Sequence, residues 1–257
     1  MGSTTGSRVM KVYSWLIYFY LYVPILILVV FSFNTSRLNA VWKGFTLQWY
    51  VKLFNDGPLL QAARNSLIIA VVSTLAATII GTLTAFAVHR HRFPGKRVLE
   101  AVIYVPIIIP EIVMGISLLA FFAAVRIPLG LTTIIIAHIA FNISFVAVVV
   151  RSRLYGFDHT LEEAAADLGA NEWNTFRRVT FPLVFPGILA GALLAFTLSL
   201  DDFVITFFTA GPGSTTLPLR IYSMVKFGVS PEVNALSTFI LTLTLTLLVI
   251  SQRMQRV

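Results

Sequence analysis

Residues 12–33 carry no charged side chain, and neither do residues 65–88. As α-helices these runs of 22 and 24 residues would measure about 33 and 36 Å at 1.5 Å per residue. A bilayer hydrocarbon core is about 30 Å thick. The first run is too long for the apolar region of a signal peptide, and no small-x-small cleavage site follows it. It is therefore read as a retained span, preceded by a small, polar and disordered tail over residues 1–11. The second is rich in Ala, Gly, Ser and Thr, whose small side chains let helices approach closely in lipid.

Four more apolar segments complete a six-span pattern. Residues 101–125 hold one charge, Glu111, beside Pro106 and Pro110. Residues 127–150 follow after a very short turn. Residues 183–200 form a fifth span, bent or delayed by Pro182 and Pro186, and residues 233–252 form the sixth. Residues 34–64 form a polar loop in which Trp42, Trp49 and Tyr50 suit a membrane interface. In residues 201–232 the apolar portion 203–208 is too short to cross and is read as re-entrant or interfacial. With 57% hydrophobic and 12% charged residues, the composition is that of a polytopic membrane protein. The net charge of +8 is scattered over short loops with no basic domain, so it points to membrane orientation rather than to nucleic acid. With no cysteine, disulfide and thiol chemistry are excluded. No tandem or inverted repeat stands out.

Six spans put both termini on one side. With that side as cytoplasm, 12 Lys/Arg residues lie inside and 7 outside, and the inside ones crowd the span ends, where the positive-inside rule counts them. The longest strongly polar stretch, residues 158–182 (DHTLEEAAADLGANEWNTFRRVTFP), is then cytoplasmic. It reads as two short helices. Thr160 and Glu163 have the spacing of a capping box. Gly169 can take the left-handed conformation that closes the first helix. Asn171 can cap the second, with Arg177 and Arg178 at its negative end and Pro182 limiting its length. Leu161, Ala164, Ala165, Leu168, Trp173 and Phe176 are free to pack.

Three carboxylates are candidates for chemistry. Glu111 lies within a span, where an ionisable residue is by default a functional hypothesis. Asp201 and Asp202 are adjacent at the outer end of the fifth span and would repel each other unless a cation or donors lay close. A site for a multiply charged cation would account for all three. An ion pair to a partner subunit for Glu111, and simple helix capping for the aspartates, would also account for them. Phe203, Phe207 and Tyr222 are the nearby aromatics, which could present ring faces to a cation or simply pack. His138, Asn142 and Ser144 on the fourth span are read as inter-helix hydrogen-bonding groups. His89 and His91, two residues apart without a companion Cys or acid, do not read as a metal site. There is no phosphate-cradling glycine loop, no Ser/His/Asp arrangement and no HExxH helix. Intramembrane aspartyl proteolysis would need aspartates facing each other from separate spans.

Glu163-Ala164-Ala165, Gly169 and the later Val179-Thr180-Phe181-Pro182 keep the spacing E-A-A-x3-G-x9-I-x-L-P throughout. The pattern resembles the EAA loop of the permeases of binding-protein-dependent ABC importers. Val179 stands for the usual Ile and Phe181 for the usual Leu. The resemblance extends over the chain. TLSLDDFVITFFTAGPGSTTLPLRIYSMVKFGVSPEVNAL and the PEIV segment at Pro110 resemble the spermidine/putrescine branch, which often has Asp where Glu111 stands.

This resemblance implies an all-α integral membrane protein of six transmembrane helices with the type I importer permease (MetI-like) fold, in the bacterial inner membrane. It implies a second, different permease subunit, two copies of a cytoplasmic ATPase and an extracytoplasmic polyamine-binding protein. Glu163, Ala164, Ala165, Gly169, Val179 and Pro182 would form the ATPase-coupling surface. ATP and magnesium would be bound by the ATPase, leaving this chain without catalytic residues, metal or cofactor. The expected cargo is a polyamine, passing Glu111, Asp201, Asp202, Phe203, Phe207 and Tyr222. Alternatives are the same machine carrying Fe(III) or another small cation, an ATP-independent carrier or channel, and an intramembrane enzyme. Carboxylates in the path would repel an anionic cargo.

Overall fold

The structure is a computed structural model that describes residues 3–36, 41–226, 228 and 230–254. Side chains at 3–6, 8–9 and 247–254 are not among those described. Of the expected topology evidence, Arg37 and Arg256 therefore lie outside the described residues, as do the side chains of Arg8 and Arg253. The described residues are helical apart from loops and one isolated antiparallel bridge between Asn34 and Phe45.

The helices, in chain order, are α1 (Ser3–Phe31), α2 (Gln48–Asn55), α3 (Gly57–Arg90), α4 (Lys96–Ile108), α5 (Glu111–Ala124) and α6 (Leu131–Tyr155). There follow α7 (Thr160–Asp167), α8 (Glu172–Thr175), a π-helical turn (Phe176–Thr180), α9 (Phe181–Asp201), α10 (Val204–Thr209), α11 (Leu217–Lys226) and α12 (Pro231–Met254). Among the described residues, four helices are long and apolar enough to cross a membrane: Met10–Phe31, Gly57–Arg90, Leu131–Tyr155 and Glu172–Asp201. The bent pair α4–α5 makes a fifth if taken as one span. Where the sixth span is expected there is a helix, α12, whose side chains are described only in part. The tail read as disordered is helical from Ser3, because nothing between it and the apolar run interrupts helix propagation.

The third expected span is not straight. α4 and α5 meet at 112°. Pro110 has no N–H, so the carbonyl of Pro106 loses its i+4 partner, and Ile109 ahead of it is extended (φ −73°, ψ 134°). Glu111 is thus not mid-helix: it opens α5 and is exposed.

The chain divides into two compact units, residues 1–60 with 221–257 and residues 61–220. In the first, α2 packs on α12 through an edge-to-face contact of Phe54 and Phe239 (5.4 Å) and the ion pair Lys52–Glu232. Trp49 is buried, and its Nε1 donates to the carbonyl of Asn34 at 2.8 Å. It is a core residue and not an interfacial anchor, whereas Trp42 is exposed.

The second unit is built round α6. Its buried face carries Val146, Val150 and Leu154, which pack with Ala85 of α3 and with Val184 and Ala195 of α9. Gly81 of α3 sits so near that an added Cβ would lie 2.8 Å from Val146 Cβ and 2.9 Å from Ile143 O. Small residues thus let two long helices close onto α6. Toward the other end Ala137 and Phe141 pack with Ile205 of α10. The loop before α11 is pinned to α3. Asn65 Nδ2 donates to the carbonyls of Gly213 (3.2 Å) and Thr215 (2.9 Å), and Leu217 N–H donates to Ser66 Oγ (2.8 Å).

Candidate functional site

Two regions of the second unit hold most of the residues that the sequence marks: the loop 158–182, and the segment where α9 ends near the α4–α5 bend.

The loop is a pair of short helices, but its first cap is not the expected one. The capping box read from Thr160 and Glu163 does not form: Thr160 is the first residue of α7, and its N–H (3.0 Å) and hydroxyl (2.8 Å) both donate to Asp158 Oδ1. Those two bonds hold the Asp158 carboxyl below its ordinary pKa. The competing geometry wins because an aspartate two residues ahead satisfies both donors of Thr160 locally. Gly169 closes the helix at φ +84° with open space around its Cα, so its backbone conformation, not crowding, calls for glycine. Asn171 caps α8 as expected, accepting from Asn174 N–H at 2.9 Å. The second helix does not stop at Pro182. Phe181 N–H reaches back five residues to Phe176 O, and α8, the π turn and α9 run on as one 30-residue rod. Pro182 brings no N–H and sits at the start of α9, so the widened turn absorbs its missing bond. Arg177 and Arg178 consequently lie along a continuous helix and not at a C-terminus.

Glu163 and Ala164 are exposed and Ala165 is half-buried; Val179 is half-buried and Pro182 exposed. Leu168 (90% exposed) and Trp173 (66% exposed) stand out beside them and leave an apolar and acidic face open for a partner. The neighbouring Glu162, which the sequence reading passes over, is half-buried and tied in: Arg90 of α3 and the hydroxyl of the buried Thr180 both donate to its Oε1. Burial raises its pKa, but the Thr180 bond and the charge of Arg90 outweigh that and hold the carboxyl below its usual value. An aromatic ladder backs this contact, with Phe176 against Trp173 (6.0 Å), Phe86 (5.8 Å) and Phe181 (6.1 Å).

At the end of α9 the two aspartates part company. Asp201 is exposed. Asp202 has a buried side chain and caps α10: its carboxylate accepts from Ile205 N–H (3.3 Å), Thr206 N–H (2.8 Å) and Thr206 Oγ1 (2.7 Å), with His138 Nε2 3.3 Å away. His138 continues a buried polar chain. Its Nε2 meets Thr206 Oγ1 at 3.0 Å, its Nδ1 meets Ser199 Oγ at 2.6 Å, and Ser199 meets Ser73 Oγ at 3.0 Å. The inter-helix role read for His138 therefore holds, across four helices. Asn142 is fully buried with both polar atoms unpaired among the described residues.

Glu111 lies within electrostatic reach of both Asp202 and Asp201, so the fold gathers the three carboxylates that the sequence scatters. Among the described residues neither Glu111 nor Asp201 has an ion-pair partner. Phe203, just ahead of α10, and Phe207 on it stack obliquely at 5.7 Å, and Phe207 is exposed. Tyr222 belongs to the first unit and is half exposed on α11. Two exposed carboxylates can accept hydrogen bonds from ammonium groups, while Asp202, already accepting three hydrogen bonds with His138 against it, serves to fix the turn that presents Asp201.

A profile of the family described as binding-protein-dependent transport system inner membrane component matches residues 77–257. The chain is 51% identical over 240 residues to the spermidine/putrescine transport system permease protein PotC of Escherichia coli (strain K12), covering 93% of this chain and 91% of that one. It is 44% identical over 229 residues to the putrescine transport system permease protein PotI of the same strain, covering 86% and 82%. Among solved structures, a chain of a bacterial ABC transporter involved in import of the acidic polysaccharide alginate superposes with TM-score 0.75, at 18% identity, over 97% of this chain and 96% of that one. That likeness speaks for the fold.

Proposed function

The chain belongs to the family of inner membrane components of binding-protein-dependent transport systems, and from that premise we propose that it is a permease subunit of an ATP-driven importer of polyamines. Its membrane helices form half of a pore with a second, different permease subunit. Two copies of an ATPase lie on the cytoplasmic side, where both termini also lie; the loop 158–182 is this chain's attachment to the ATPase, and a polyamine-binding protein delivers cargo on the other side. ATP is hydrolysed by the ATPase, and no chemical step falls to this chain.

The observation that carries the cargo assignment is the grouping of Glu111 and Asp201, both exposed and without an ion-pair partner among the described residues, with the Phe203–Phe207 pair beginning two residues beyond Asp201. A polyamine carries several ammonium groups, and carboxylates with aromatic faces are its natural receptors. The α4–α5 bend adds support. Non-helical backbone at membrane depth is tolerated where it lines a wet cavity or is buried in protein.

The test is uptake of labelled spermidine by the reconstituted complex carrying Glu111→Gln or Asp201→Asn. Each should lower uptake about ten- to hundredfold, the effect of losing one charge-assisted hydrogen bond of about 1.5–3 kcal/mol, with the complex assembled as before. Unchanged uptake in both would remove them from the path. Uptake of Fe(III) in place of spermidine would leave the carboxylates but change the cargo.

A further inference from the structure

Helix α7 carries the exposed Glu163 and Ala164 yet buries no residue of its own. Covalently it hangs between the end of α6 and the rod that begins at α8. Its one charged attachment to the helices behind it, among the described residues, is Glu162. That side chain is 19% exposed and Arg90's is 32%, so both are largely out of water. Arg90 is the last residue of α3, and Thr180 is fully buried in the π turn ahead of α9. Arg90 also reaches Thr180 Oγ1 at 3.5 Å and lies over the ring of Phe86 at 5.8 Å. One carboxylate thus joins its own helix to two elements, at residues 72 and 18 positions away in sequence.

The geometry points to Glu162 as the positioning residue that conveys displacement of α7 to the ends of α3 and α9. This rests on the reading of residues 158–182 as the ATPase attachment. α8 is continuous with α9 and can push it directly. α7 has no such continuity with α3; its N-cap His159 stacks on His89 of α3 at 5.9 Å, but a ring stack can slide, and Glu162 supplies the directional, charged link between the two helices. A charge-assisted and partly desolvated contact is strong and directional enough to move a helix end. The lowered carboxyl of Glu162 keeps it ionised at neutral pH, which this contact requires. Glu163, by contrast, faces outward and is left for the partner.

The experiment measures labelled spermidine uptake and ATP hydrolysis together in proteoliposomes holding the full transporter. The variants are Glu162→Gln, Arg90→Gln and the charge exchange Glu162→Arg with Arg90→Glu. Glu162→Gln is isosteric, and co-purification of the ATPase verifies assembly. The expected result is that both single variants hydrolyse ATP but import roughly tenfold less spermidine per ATP, a coupling loss within the usual range for linked sites. The exchange should restore part of that ratio. A wild-type ratio in Glu162→Gln would overturn the inference. So would an equal fall in uptake and hydrolysis, because that outcome places Glu162 in docking and not in transmission. If the unmodified complex itself imports no spermidine or shows no linked hydrolysis, the functional reading fails and not the bridge.

Discussion

Asp202 receives the N–H and hydroxyl of Thr206 and lies against His138 in a buried pocket, while Asp201 one residue earlier faces outward. The difference is positional: Asp201 ends a helix, and Asp202, extended at φ −61° and ψ 125°, turns its side chain back over the first turn of α10. Removing Asp202 would leave His138, Thr206 and the α10 N–H groups short of an acceptor in a dry place. Asp202→Ala should therefore destabilise the protein by about 3 kcal/mol, seen as a lower Tm of the detergent-solubilised complex. Asp201→Asn should leave Tm unchanged and alter only uptake. If the two substitutions shift Tm alike, the distinction between them is wrong. The sequence makes the pair look equivalent, because what separates them is His138, 64 positions away from Asp202 and brought there only by the packing of α6 on α10.

At the scale of elements, Gly169 decides whether α7 and α8 form a compact pair. Proline cannot adopt its φ of +84° and would remove the N–H that donates to Ala166 O at 2.8 Å. Leu168, near-helical at φ −81° and ψ 8°, would also clash with a following proline. Gly169→Pro should cost about 3 kcal/mol locally and release the ATPase on purification, while Gly169→Ala, at about 1 kcal/mol, should retain it. Retention by both would show that the turn does not shape the docking face. The turn glycine and the Asn171 cap were legible in the sequence, since each acts on its own immediate backbone. The Thr160–Glu163 box was misread because Asp158 competes for the same donors. The α8–α9 rod was misread because a proline normally marks a boundary, and the π turn that removes the conflict leaves no compositional signature. The 112° bend at Pro110 was half legible: two prolines four apart announce a break but not its angle.

For the molecule as a whole, long charge-free runs made the membrane helices readable, and the Glu163-to-Pro182 spacing made the family readable, because both are periodic or fixed-interval signals along one chain. Pairings between distant residues were not readable. Glu162 with Arg90, Ser73 with Ser199 and Trp49 with Asn34 each depend on how helices pack. Polar residues in apolar runs, such as Ser73 and Ser199, were the available hint of the His138 chain. What these pieces amount to is a membrane unit with an exposed handle at 158–182 and a pair of open carboxylates elsewhere in it, a combination that fits ATP-driven passage of a polycation. The most direct test is accumulation of labelled spermidine in proteoliposomes containing this chain, its partner permease, the ATPase and the binding protein, with ATP or a non-hydrolysable analogue. Uptake that requires ATP, is competed by putrescine and is indifferent to sulfate is the result expected. Equal uptake with the analogue, or no spermidine uptake while sulfate accumulates, would contradict it.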